Sequence, residues 1–143
     1  MVEKVTRTLI CVFIILGMLA GLSYANTTLN TAQQQYLNQV VKKKISHPSD
    51  QVIVDQWPES SRVAEFLCRP QATLYFKQHV HNVDKVILYT GDENAPELIS
   101  QNQLKGAGEY RQGEKWTEFQ YQCELSETTG KAVSFKVKTD SLK

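Results

Sequence analysis

The chain has 143 residues, 16 Lys+Arg against 15 Asp+Glu, 41% hydrophobic and 9% aromatic content, and three cysteines. That is one domain's worth of chain, too short for a multidomain enzyme or a long repeat array. A formal charge of +1 argues against a dedicated nucleic-acid binder, and seven Gly with four Pro are too few for a disordered or collagen-like polymer.

The N-terminus reads as an address. Lys4 and Arg7 outweigh Glu3, residues 9–22 (LICVFIILGMLAGL) form an uncharged apolar run of 14 residues, and Ser23-Tyr24-Ala25 places small residues where a signal peptidase reads. A membrane anchor needs roughly 20 apolar residues, so cleavage after Ala25 is expected rather than retention. Cys11 lies inside the apolar run behind Ile10, which does not suit lipidation. The mature domain is then residues 26–143, with fourteen residues of each charge sign and no net field to steer it to a polyanion or an anionic membrane. The expected location is periplasmic or secreted, with membrane contact only through the signal segment before cleavage.

Cleavage leaves Cys68 and Cys123. In an exported chain an even cysteine count is most simply a disulfide. The alternative, a catalytic Cys68 thiol served by His79 or His81, requires a free thiolate.

From Thr31 the apolar spacing is helical, with Tyr36, Leu37, Val40, Val41 and Ile45 at three- and four-residue intervals. Thr31 with Gln34 suggests a capping box, and Lys42, Lys43 and Lys44 suit the C-terminal end of the dipole. The lysine triplet reads either as a phosphate- or membrane-binding patch or as a solvated helix end, the latter agreeing better with a neutral total. Pro48 is expected to stop this helix. Residues 51–56 (QVIVDQ) are an apolar burst of ambiguous type. Ser60 or Ser61 is expected to cap a short helix through Cys68, and Pro70 to open another over residues 71–79.

After Asn82 the pattern turns to β: residues 85–89 form a strand closed by Gly91-Asp92-Glu93-Asn94. Leu104, Gly106, Gly108 and Tyr110 share one parity, which suggests a strand weakened or bulged by its glycines. Gln112-Gly113-Glu114 reads as a hairpin turn. In residues 115–125, Thr117, Phe119, Tyr121, Cys123 and Leu125 alternate with Glu118, Gln120, Gln122 and Glu124, the pattern of a half-buried antiparallel strand. Thr128-Thr129-Gly130 turns, and Val133, Phe135 and Val137 alternate with Ser134, Lys136 and Lys138. Helices first and strands second predict an α+β fold, N-terminal helices packed on a C-terminal antiparallel β-meander. Parity puts Cys123 on the apolar face, so a bond to Cys68 pins the middle helices onto the sheet.

Residues 62–72 (RVAEFLCRPQA), 83–86 (VDKV), 115–123 (KWTEFQYQC) and 132–135 (AVSF), in that order, resemble a bacterial exported family known as domain of unknown function 930. The resemblance covers about residues 60–137 and implies a Gram-negative envelope protein with one disulfide. It brings no catalytic residues with it. After Val137, where the family's pattern continues with a Gly and a hydrophobic turn, this chain reads Thr139 to Lys143.

Chemistry-bearing clusters are sparse. His79 and His81, with Asp84 following, are the nearest approach to a metal site, but zinc wants three or four ligands and the pair lies at a helix end. Asp92 and Glu93, with Glu97, are either paired carboxylates for glycoside hydrolysis or ordinary loop acids. No nucleophile elbow, phosphate loop or dinucleotide fingerprint is present. Trp57, Trp116 and Tyr110 are the candidate contact aromatics. Trp116 has the parity of the wet sheet face, where it either meets a partner or is covered by the helix over residues 31–45, covering being the expected arrangement. The functional expectation is a small non-enzymatic protein, without a cofactor, that binds a protein or an envelope component as an inhibitor, immunity or accessory protein. A hydrolase or metal-binding protein using the His79/His81 region is the alternative.

Overall fold

The computed structural model describes residues 28–138; the signal segment predicted over residues 1–25 lies outside them. Helix α1 (Thr31–Lys44) is followed by α2 (Pro48–Asp55), α3 (Glu59–Val63), a π turn (Ala64–Cys68) and α4 (Arg69–His79). Five strands follow: β1 (Lys85–Leu88), β2 (Glu97–Ser100), β3 (Gln103–Gln112), β4 (Lys115–Leu125) and β5 (Ala132–Val137). The fold is α+β, with helices first and one antiparallel sheet second.

Helix α1 forms where its spacing placed it, but its cap is one residue earlier. Asn30 Oδ1 accepts from the Gln33 N–H at 3.0 Å, and Gln33 Oε1 accepts from the Asn30 N–H at 2.9 Å, so the box is Asn30–Gln33 rather than Thr31–Gln34. Asn30 wins because its short side chain reaches the third N–H while its own φ,ψ stay extended. Pro48 does end the extended link after α1, but as the first residue of a new helix, where its missing N–H costs nothing. The burst over residues 51–56 is therefore helical. Only Val54 of α2 is buried, while Val52 and Ile53 stay exposed.

The largest departure from expectation lies at residues 59–79. No serine caps a short helix there: the chain enters α3 from Pro58, and Ser61 is buried with its hydroxyl donating to the Thr90 carbonyl at 3.2 Å. Pro70 does lie in the first turn of a helix, α4, that runs to His79, but no break separates α4 from what precedes it. Val63, Ala64, Cys68 and Arg69 all hold right-handed helical dihedrals, so α3, the π turn and α4 make one rod. A proline inside an α-helix removes one N–H and presses its ring on the carbonyl four residues back. The rod absorbs this by widening just before Pro70, where Arg69 N–H reaches back five residues to the Ala64 carbonyl.

Strand β3 is the axis of the sheet. It pairs with β4 along its length, and its other edge carries β1 opposite residues 108–111 and β2 opposite residues 103–105. The order β1-β3-β4-β5 is thus a meander over its last three strands. The glycines of β3 do not bulge it, since the β3–β4 register is unbroken from Gln103↔Glu124 to Gln112↔Lys115. They make room instead. A Cβ on Gly106 would come within 2.7 Å of the Tyr121 hydroxyl, and one on Gly108 would run into the Ile87 carbonyl and the Phe119 ring. The register shifts are elsewhere, on β2 between Leu98 and Ser100 and on the β4–β5 ladder between Glu124↔Ser134 and Leu125↔Ala132. The latter leaves Val133 at 61% exposure and breaks the parity expected of β5, while Phe135 and Val137 pack inward. Gly113, at φ 62, supplies the first loop position of the two-residue β3–β4 hairpin.

The core lies between the rod and the inner sheet face. The Phe76 ring lies tilted 4.6 Å from that of Tyr110 and 4.4 Å from that of Phe119, and Tyr121 stacks 5.2 Å from Phe135. Cys68, at the end of the π turn, is bonded to Cys123 of β4 with 6.1 Å between the Cα atoms. Both are fully buried, so the predicted staple joins rod to sheet inside the core. Among the described residues no helix is long and apolar enough to cross a membrane.

Candidate functional site

Helix α1 does not lie on the sheet. It packs against the π turn and leans on the β4–β5 turn, where Asn30 Nδ2 donates to the Glu127 carbonyl at 2.9 Å. Gly130, at φ 74, lets that turn approach: a Cβ there would sit 2.8 Å from the Cβ of Tyr36 and 2.9 Å from the Cα of Gln33. The wedge left between α1, the π turn and the start of β5 is a groove of about 500 Å³. Tyr36, Val40, Phe66, Leu67, Pro70 and Ala132 make its apolar surface. Lys43, Lys44 and Lys131 stand around it, no carboxylate lines it, and none of the three lysines is in an ion pair among the described residues.

The residues singled out in the sequence fall in several places. The two cysteines are together, and their bond rules out a free catalytic thiol at Cys68. His79 sits at the end of α4, its ring stacked 4.3 Å from Tyr75 and its Nδ1 donating to the Tyr75 carbonyl at 2.8 Å. Asp84 is engaged elsewhere: its carboxylate takes Arg111 Nε at 3.0 Å and Nη2 at 3.2 Å. That fork is the main reason its carboxyl is held below the usual range. Among the described residues no group of three or more His, Cys, Asp or Glu is placed to hold a metal ion. Asp92 and Glu93 lie in an exposed 3-10 turn, Asp92–Asn94, and Glu97 pairs with Lys105 at 2.8 Å.

The aromatics separate too. Tyr110 is 7% exposed beneath Phe76, a core residue rather than a contact residue, because its strand parity is that of Leu104 and Gly108. Trp57, after α2, is half-buried against the core. Trp116 keeps the wet-face position expected of it, but no helix covers it: it is 40% exposed, with the Arg111 guanidinium 5.4 Å from its ring centroid. On the same face the Tyr89 phenol is pushed up to about 12, chiefly by burial and then by the neighbouring carboxylates of Glu109 and Glu118. On the inner face the Tyr121 hydroxyl is buried with no hydrogen-bond partner among the described residues, and that burial pushes its phenol up.

Sequence reasoning did not assemble the groove. Of its residues only Lys43 and Lys44 read as a candidate binding patch in the sequence, and nothing ties them to Lys131, 87 positions after Lys44. Comparison with protein-family models, with curated proteins and with solved structures finds no match for the chain.

Proposed function

We propose that the protein is a small exported binding protein without catalytic activity, and that it holds an envelope component in the groove between α1, the π turn and β5. The groove carries this reading. Small-molecule sites are concave, mostly apolar and set with a few converging polar groups, and this wedge of about 500 Å³ has that make-up. Its surroundings support the same reading: the Cys68–Cys123 bond fixes the π turn that forms one wall, which suits a site that must not collapse when empty. Export is supported by the order of charge, apolar run and small residues over residues 1–25, and a disulfide agrees with an oxidising compartment. The resemblance of residues 60–137 to domain of unknown function 930 adds a Gram-negative envelope setting to the proposal.

The test is native mass spectrometry of protein recovered from the exported fraction, beside an Ala132→Trp variant that fills the groove. A bound mass retained by the parent chain and missing from the variant is the expected result. A chain that still begins at Met1, or a bound mass indifferent to the Trp, would overturn the proposal.

A further inference from the structure

We infer that the occupant of the groove is a single-chain anionic amphiphile with a phosphate head, a lysophospholipid; this rests on the reading of the groove as a binding site and goes further in naming the ligand class. Two features of the site select it. The first is charge. Lys43 and Lys44 come from the last turn of α1 and Lys131 from the approach to β5, so three lysines from two distant parts of the chain line one groove that no carboxylate lines. The whole chain is close to neutral, so this is a local excess and not a general basic surface. Three like charges lining one groove repel, and the partner that relieves all three is an oxyanion with several acceptor atoms. Lysine serves phosphate well as a mobile point charge.

The second feature is shape. Apart from the lysines and Gln71 of α4, the lining is aliphatic and aromatic, with Phe66 and Leu67 presented by the π turn and Val40 and Tyr36 by α1. At roughly 30 Å³ per small group, the volume of about 500 Å³ holds about 17 such groups, enough for one 12-carbon chain with part of its head and too few for two such chains. A peptide strand would bring a row of backbone amides that this mostly apolar lining satisfies only in part. An alkyl chain has no such groups to satisfy.

The experiment is isothermal titration of the full exported chain with four 12-carbon probes below their micellar concentrations. These are 1-lauroyl-lysophosphatidylglycerol, laurate, 1-lauroyl-lysophosphatidylcholine and dodecyl maltoside. Saturable one-to-one binding of the lysophosphatidylglycerol is expected, about tenfold tighter than the neutral-headed maltoside. Lys43→Gln/Lys44→Gln/Lys131→Gln, three exposed changes that remove the charge without setting carboxylates at the C-terminal end of α1, should abolish that preference while the melting temperature holds. Ala132→Trp and, as an independent filling of the groove, Gln71→Trp should weaken all four probes. Equal affinity for the four heads would overturn the anionic ligand while leaving a binding groove. Laurate binding as tightly as the lysophosphatidylglycerol would overturn the phosphate head alone. Probes that bind the Trp variants as well as the parent would overturn the groove itself, as would the absence of saturable binding by any probe.

Discussion

Replacing both Cys68 and Cys123 with Ala should cost this domain a large share of its stability, and should do so through the unfolded state. The bond closes a loop of 55 residues in sequence separation, for which the chain-entropy relation gives about 4 kcal/mol at 25 °C. Domains of this kind hold about 5–15 kcal/mol in total. With an unfolding entropy of about 2.1 cal/mol/K per residue, that loss lowers the melting temperature by about 15 °C. Both side chains are fully buried, so Ala leaves only small gaps, and the folded rod-on-sheet arrangement should survive. The assay is thermal and urea unfolding followed by circular dichroism, with the oxidised parent beside the double variant. Spectra at 20 °C should coincide, the midpoint should fall, and the urea slope should rise because the uncrosslinked unfolded chain exposes more surface. Reductant should leave the native parent's thiols unlabelled until it unfolds, since neither sulfur is accessible. A double variant melting within about 3 °C of the parent would refute the claim that the staple limits the unfolded chain.

Gly108→Ala should destabilise by about 2–3 kcal/mol, and more than Gly106→Ala, because its new Cβ meets the Ile87 backbone as well as a movable ring; urea midpoints of the two variants check the order. Tyr121→Phe should hold or raise stability, by about 1 kcal/mol at most, since it deletes a buried hydroxyl without a partner; a loss larger than that in the same assay would mean the hydroxyl is satisfied. Trp116→Ala should leave stability within about 0.5 kcal/mol of the parent, as an exposed residue whose main neighbour is one guanidinium, and should remove the exposed component of tryptophan fluorescence quenched by acrylamide. Tyr89, with its phenol raised from 10 to about 12, favours the folded state below pH 10 and loses that contribution as pH climbs from 10 to 12. Absorbance at 295 nm should therefore show one fewer tyrosinate near pH 10.5 in Tyr89→Phe than in the parent only after unfolding, not before.

How far the sequence was legible depended on how local each cause was. β4 was readable end to end, because alternation over residues 115–125 is a strictly local record of one wet and one dry face. α1 was readable for the same reason at the helical period. β2 was missed: its four residues follow Pro96, and its turn to β3 (Gln101-Asn102) carries none of the glycine that marks most hairpins. β5 was placed but given the wrong face for Val133, because a bulge is set by what the neighbouring strand does. The room that the β3 glycines make is not written in β3 for a similar cause, since the rings they accommodate sit on β4. Tyr110 shared the parity of Leu104 and could have been assigned to the core on that ground alone. The groove was out of reach altogether: two of its walls are brought together by a bond spanning 55 residues and by a turn that only Gly130 lets close on α1.

The π turn joins these threads. An α-helix of ordinary pitch commits one stripe to the sheet and turns the rest outward. Over residues 63–68 five of six side chains are buried, which no single stripe allows. The widened turn divides them, sending Cys68 to β4 while Phe66 and Leu67 face the groove under α1. Pro70 is what makes the widening favourable, so one residue with no polar group of its own sets both the reach of the staple and the shape of the site. Pro70→Ala restores the missing N–H and removes the pressure on the carbonyl four residues back. If the extra residue of the turn is then expelled, the stripe rotates by a fraction of a turn and Cys68 moves off the line to Cys123. The disulfide resists that rotation, and this opposition keeps the groove open: in the reduced chain Pro70→Ala should weaken amphiphile binding, whereas in the oxidised chain it should not.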